Sequence, residues 1–183
     1  MISPEKLKEA SEKVEKDNMI LRSFLKGRDE KEVDDLFNTL HKQLFEEIDC
    51  LQCMNCCKEM TIPLREKDIT NISSKLGLSR KEFKAKYLEK AEEGFKTKEK
   101  PCPFLEDYGC SIYESRPKDC REYPYTHKKE INFRLLNLVI SCDICPVVFE
   151  IFEKVKEYYH DEFIAYKKEF QLMEDYKDFM NGN

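Results

Sequence analysis

Nine cysteines dominate the chemistry available to this 183-residue chain. Cys50, Cys53 and Cys56 recur with two residues between them, and Cys57 follows directly. Such spacing lets a loop curl until neighbouring thiolates face one ion, while amides in the curl donate hydrogen bonds to sulfur. A run of three suits a polynuclear iron–sulfur cluster whose fourth ligand comes from a remote Cys-Pro, and Cys145-Pro146 has that form. Adjacent side chains diverge, so Cys57 is expected to serve a second site or to be a buried free thiol.

Two further groups follow. Cys102 lies between Pro101 and Pro103, with Cys110 and Cys120 beyond it. The flanking prolines fix the backbone and lower the entropy lost on presenting a ligand. Cys142 and Cys145 repeat the two-residue spacing just before a helix, whose N-terminus favours a thiolate. Nine thiols could divide as four, four and one. Soft thiolates suit both zinc and iron–sulfur clusters. Zinc would be served by Cys50/Cys53 with Cys142/Cys145. The run of three favours an iron–sulfur cluster, of the [4Fe-4S] type, with Zn2+ as the alternative cofactor.

The surroundings of Cys120 are basic and aromatic. Arg116 and Arg121 flank it and are read as cofactor-binding, by hydrogen bonds to sulfur or by offsetting thiolate charge. A salt bridge or a carbonyl contact is the competing reading. Tyr108, Tyr113, Tyr123 and Tyr125 should pack around the loops. His41, His127 and His160 are isolated along the chain, and surface positions are expected for them.

Bulk properties narrow the class. Thirty-two Lys+Arg against 37 Asp+Glu give a formal net charge of -5, with both signs interspersed. No nucleic-acid partner is expected without a basic excess. The N-terminus lacks the apolar core of a signal peptide. No apolar run approaches the ~18 residues of a membrane span. The expectation is a cytoplasmic protein, where clustered cysteines mean metal or catalysis rather than disulfides. Five glycines and the absence of a phosphate loop, G-x-S-x-G or H-E-x-x-H argue against nucleotide or hydrolase chemistry.

The elements that must position these groups are mainly helical. Ser3-Pro4 opens a first helix; Leu7, Ala10, Val14, Leu21, Phe24 and Leu25 form its stripe, and Gly27 stops it. Asp29 with Glu32 opens a second, with Val33, Leu36, Phe37, Leu40, Leu44 and Ile48 as its apolar face. An extended piece (Thr61 to Leu64), a helix from Glu66 to Leu76, and a Ser79/Glu82 capping box opening a helix to about Glu92 come next. Residues 94–134, broken by Pro101, Pro103, Gly109, Pro117 and Pro124, read as loops with little regular structure. Helix returns after Ile131, again from Pro146, and along Phe163, Tyr166, Phe170, Met173 and Tyr176. The expected fold is mainly α: helices packed around an irregular, cysteine-rich metal-binding centre. It forms one domain over 1–183, with a hairpin (1–49), a cysteine-cluster region (50–146) and C-terminal helices (147–183).

The C-x2-C-x2-CC run, then PCPFL, then GCSIYESRPKDCREYP, resembles the YkgJ-type cysteine-cluster family of zinc- or iron-chelating or iron–sulfur proteins. The resemblance runs from about Cys50 to Pro146. It implies that Cys50, Cys53, Cys56, Cys57, Cys102, Cys110, Cys120 and Cys145 are the metal-associated set, with Cys142 an addition. Arg116, Pro117, Arg121, Tyr123 and Pro124 match the family's RPxxCRxYP stretch. Where the family usually has Gly after the second cysteine, this chain has Met54, which tightens the loop.

Three functions follow as expectations. The first is an iron–sulfur protein for electron transfer or metallocentre assembly, docked on a protein partner. The second is a zinc-stabilised interaction module using the helical hairpin. The third is a lysine methyltransferase, because flagellin lysine-N-methylases are similar to this family.

Overall fold

The structure is a computed structural model that describes residues 1–180. In chain order its helices are α1 (Pro4–Leu25), α2 (Glu30–Glu47), α3 (Cys50–Cys53), α4 (Asn55–Glu59), α5 (Glu66–Lys75), α6 (Arg80–Tyr87), α7 (Lys118–Glu122), α8 (Ile131–Ser141), α9 (Pro146–Tyr158) and α10 (His160–Met180). The strands are β1 (Pro63–Leu64), β2 (Leu88–Lys90), β3 (Phe95–Thr97), β4 (Leu105–Glu106) and β5 (Gly109–Cys110). The chain is mainly α, as its periodicity predicts. It divides into two compact units: Met1–Glu47 with residues from Thr126 onward, and Ile48–Tyr125. The cut at Thr126 places α8, Cys142 and Cys145 with the hairpin and C-terminal helices.

The helical unit packs α1 and α2 against α8 and α9, with α10 along α1. Leu7, Leu21, Leu25, Phe37, Ile131, Leu135, Val148 and Phe152 are fully buried there. Removing such side chains from water contributes about 1.5–3 kcal/mol each. Phe37 meets Phe152 edge-on at 6.1 Å, and Phe24 is ringed by Tyr159, Phe163 and Tyr166. The cap expected at Asp29 is present: its carboxylate accepts from the Glu32 amide at 2.9 Å. Asp34 on α2 accepts from the Glu130 and Ile131 amides at 2.8 and 2.9 Å, so a side chain of one helix caps the next. The Tyr176 side chain lies outside the described residues. No single described helix is long and apolar enough to cross a membrane.

The cysteine unit has its own small core of Leu64, Ile69, Ile72, Phe83, Leu88, Cys102, Phe104 and Ile112. The Ser79/Glu82 capping box opens α6 with both reciprocal bonds. The helix stops at Tyr87, short of the expected Glu92, because Leu88 turns into β2 and pairs with Thr97. Strand pairing here overrides the helix propensity of a Lys/Glu-rich stretch. Residues 94–134 likewise hold more order than their prolines suggest: β3, the β4–β5 hairpin, α7 and the start of α8. β3 is central, antiparallel to both β1 and β2.

His41 and His127 are not isolated surface residues. Their rings lie 4.9 Å apart, and His41 Nδ1 is 2.8 Å from Oγ1 of the fully buried Thr126. Burial, then the nearby charges of His127 and Lys42, draw the His41 pKa down from 6.5 to about 4. Between those two values the unfolded chain binds a proton that the folded chain does not. Stability is therefore intact above pH ~6.5 and falls as pH drops toward ~4. His41→Gln should flatten that part of the urea-midpoint profile between pH 7 and pH 4.5; an unchanged slope would assign it to other groups.

Candidate metal centre

The first cysteine run does not form one continuous loop. Asp49 caps α3, its carboxylate accepting from the Leu51 amide at 2.8 Å. Met54 then stands at φ 47°, ψ 15° as both the last cap of α3 and the first of α4. This left-handed turn redirects the chain so that Cys50 and the Cys56-Cys57 pair face a common space. A glycine takes that conformation freely, whereas methionine does so at a penalty of about 1–2 kcal/mol. The departure at Met54 thus falls where glycine has a physical reason to sit.

Later segments converge on the same space. The Cys102 amide donates to the Cys57 carbonyl at 2.7 Å, tying the second group to the first. The β4–β5 hairpin pairs Leu105 with Cys110, bringing Cys110 back beside Cys102. Cys120 comes from α7. Cys50, Cys56, Cys57, Cys102, Cys110 and Cys120 all line one cavity of about 190 Å³. Its other walls are mostly apolar, including Leu51, Ile62, Leu64, Phe104 and Ile112. Cys53 neighbours Cys50 electrostatically but is not on the cavity wall. Cys56 and Cys57, adjacent in sequence, both reach the cavity from the short helix α4, and their side chains hydrogen-bond.

The thiols feel one another. Burial, followed by the charges of other sulfurs, pushes Cys120 up to about 12. Burial pushes Cys102 up to about 11, opposed by backbone amides. Burial also raises Cys50 and Cys110. Cys57 goes the other way, to about 7, through its hydrogen bond with Cys56 and then the positive charge of Arg116. Cys57 disfavours ionisation of Cys50, Cys102, Cys110 and Cys120, so these five sulfurs form one coupled group. Arg116 favours the thiolate at Cys50, Cys57, Cys110 and Cys120.

Arg116 lines the cavity and stacks 3.8 Å from the Tyr113 ring centroid, with its Nε buried and lacking a hydrogen-bond partner. Arg121 is exposed, and its guanidinium donates to the Arg116 carbonyl, a backbone contact. Tyr113, Tyr123 and Tyr125 border the cavity, while Tyr108 projects fully into solvent at the hairpin tip. Cys142 is fully buried in the helical unit, its thiol donating to the Leu138 carbonyl at 3.5 Å and accepting from Asn18 at 3.7 Å. Cys145 is half-buried at the N-cap of α9. All nine cysteines are free thiols.

The donor set fits a soft cation, being sulfur throughout with an apolar wall behind it. Among the described residues no three His, Cys, Asp or Glu groups already stand in ligand geometry. Residues 49–146 match the family model CxxCxxCC, described as "putative zinc- or iron-chelating domain". The chain belongs to this family. Its metal-binding character follows from that match together with the thiol-lined cavity. No curated protein and no solved structure matches the chain.

Asp68 supports the site and had no chemical signal in the sequence beyond its place three residues into a helix. One carboxylate oxygen accepts from the Arg65 amide at 3.1 Å, and the other accepts from the Lys118 amide at 3.2 Å. It thereby joins the start of α5 to the start of α7, the helix carrying Cys120. The side chain is buried, so truncation leaves two amides unmet. Asp68→Ala should cost about 2–3 kcal/mol by denaturant unfolding and weaken metal retention. At Met54, a β-branched substitution is the sharper probe. Met54→Val should lose roughly 1–2 kcal/mol while Met54→Gly stays within about 1 kcal/mol of the parent. Equal losses in the two variants would mean the left-handed turn is not strained.

Proposed function

We propose that the cavity of the cysteine unit holds an iron–sulfur cluster of the [4Fe-4S] type, used for electron transfer or metallocentre assembly on a protein partner in a reducing cytoplasm. What supports the reading is the coupled group of five thiols around Arg116 in a largely apolar cavity. When bound, a cluster supplies a one-electron redox couple. Four of the five thiols Cys50, Cys57, Cys102, Cys110 and Cys120 would hold it, one per iron, with Cys56 hydrogen-bonded to Cys57. Arg116 offsets thiolate charge. Tyr113, Tyr123 and the apolar walls limit water, which tunes potential through local polarity. Cys142, saturated by two hydrogen bonds inside the helical unit, is read as a packing residue rather than a ligand.

Zinc is the second reading, favoured by one observation. The strands here are two or three residues long, and four separate segments supply thiols, which is how structural zinc organises small loop-rich regions.

Anaerobic purification followed by iron, zinc and acid-labile sulfide analysis separates the two. The cluster reading expects a brown protein with iron and sulfide in equal amounts, lost in Cys57→Ser and Cys120→Ser and retained in Cys142→Ser. Stoichiometric zinc without sulfide would overturn it in favour of the second reading.

A further inference from the structure

The cavity has more thiols than a four-ligand centre uses, and their neighbours sort them. Cys120 feels the sulfurs of Cys102, Cys57 and Cys110. Cys102 feels Cys57 and Cys110, and Cys110 feels Cys57. These four are mutual neighbours, and all are buried or half-buried. The backbone holds them together: the Cys57 carbonyl accepts from the Cys102 amide at 2.7 Å, and Leu105 pairs with Cys110.

Cys50 differs. It is exposed, and the sulfur that acts on it most is Cys53, ahead of Cys57. The two stand three residues apart on α3, where the Cys53 amide donates to the Asp49 carbonyl at 3.0 Å and the Met54 amide to the Cys50 carbonyl at 3.1 Å. A helical turn of this kind sets side chains at i and i+3 on one side, with Cβ atoms about 5–6 Å apart. That separation allows both sulfurs to bond one ion at the ~2.3 Å of a metal–thiolate contact. Asp49, which caps the same turn, is the next negative group near Cys50. Cys50 lines the cavity and Cys53 does not, so the pair spans the rim from inside to outside.

We propose that Cys57, Cys102, Cys110 and Cys120 are the resident ligands of the centre, and that Cys50 and Cys53 form a second, exchangeable dithiol site at its mouth for a thiophilic cation, Fe2+ or Zn2+, delivered as a complex with small thiols. This inference rests on the metal reading of the cavity. Uptake is ligand exchange with no change of oxidation state. The Cys53 sulfur bonds the ion as one donor thiolate leaves, and the proton lost from Cys53 goes to that departing sulfur. Cys50 displaces a second donor thiolate in the same way. Because Cys50 also faces the cavity, it stays bonded while an inner thiol displaces Cys53, which takes up that thiol's proton.

Iodoacetamide alkylation of the anaerobically purified, metal-loaded and dialysed chain, read by peptide mass spectrometry, tests the division. Cys50 and Cys53 should react at the same rate in the loaded chain and after a chelator has stripped it, whereas Cys57, Cys110 and Cys120 should be blocked until the metal is removed. A second measurement presents Zn2+ as its glutathione complex to the metal-free chain. Cys53→Ser should bind as much zinc at equilibrium as the parent but take it up about tenfold more slowly, since one of two linked ligands is gone. Protection of Cys50 together with the inner thiols, loss of bound zinc in Cys53→Ser, or unchanged uptake by that variant would overturn the proposal. Iron, sulfide and zinc contents decide the cluster reading separately, because the expected alkylation pattern is the same for either metal.

Discussion

Like charges cannot be crowded into an apolar space without compensation, and the cysteine unit is organised around that constraint. Two thiolates 4 Å apart repel by about 4 kcal/mol at an effective dielectric of 20. Five sulfurs in this cavity influence one another, and burial adds its own penalty for every ionised form. Two escapes exist. The thiols remain protonated, which is where burial pushes Cys102 and Cys120, or a cation enters and makes ionisation favourable at all of them together. Arg116 begins the second escape without completing it, because one guanidinium faces four sulfurs. Membership in a family described as zinc- or iron-chelating agrees with this unbalanced electrostatics.

The same constraint accounts for the architecture of residues 48–125. Sulfurs must arrive from several segments because one helix or strand cannot aim so many at one point. Short pieces joined by fixed turns meet that need: the left-handed Met54, the β4–β5 hairpin, and the Asp68 bridge from α5 to α7. The small core of Ile69, Ile72, Phe83 and Phe104 then backs the loops rather than surrounding them. The helical unit solves a different problem. Its long helices close a continuous apolar core and cap one another, as Asp34 does for α8.

Legibility in the sequence follows these two modes. Helix starts with local signals are legible almost to the residue: Pro4 and Pro146 at first positions, Asp29 with Glu32, Ser79 with Glu82, although the last of these helices ends five residues before its sequence pattern does. Strands of two or three residues were not, since alternation cannot be seen over so short a span and their pairing is long-range. The cysteine types and spacing pointed to the site, yet its membership depended on geometry that spacing does not encode. Cys56 and Cys57 share the cavity wall because α4 is short and lies along it, which spacing alone does not encode. Asp68 looked like any acidic first-turn residue, and Tyr108 looked like its three aromatic neighbours until the hairpin turned it outward. His41 and His127 are 86 residues apart in sequence (127 minus 41), so nothing local announced their contact.

The limits of the family pattern and of the compact units do not coincide, and the mismatch is informative. The match extends from 49 to 146, whereas the cysteine unit closes at Tyr125. The intervening stretch is α8 and its approaches, ending at Cys145-Pro146. By family it belongs with the cysteines; by packing it belongs with α1, α2 and α9, none of which lies within the match apart from the opening residue of α9. A segment held to both patterns must keep residues that suit each. The inner face of α8 satisfies the helical core through Ile131, Leu135 and Leu138. Its outer apolar residues, Phe133, Leu136 and Ile140, are exposed and belong neither to that core nor to the wall of the thiol cavity.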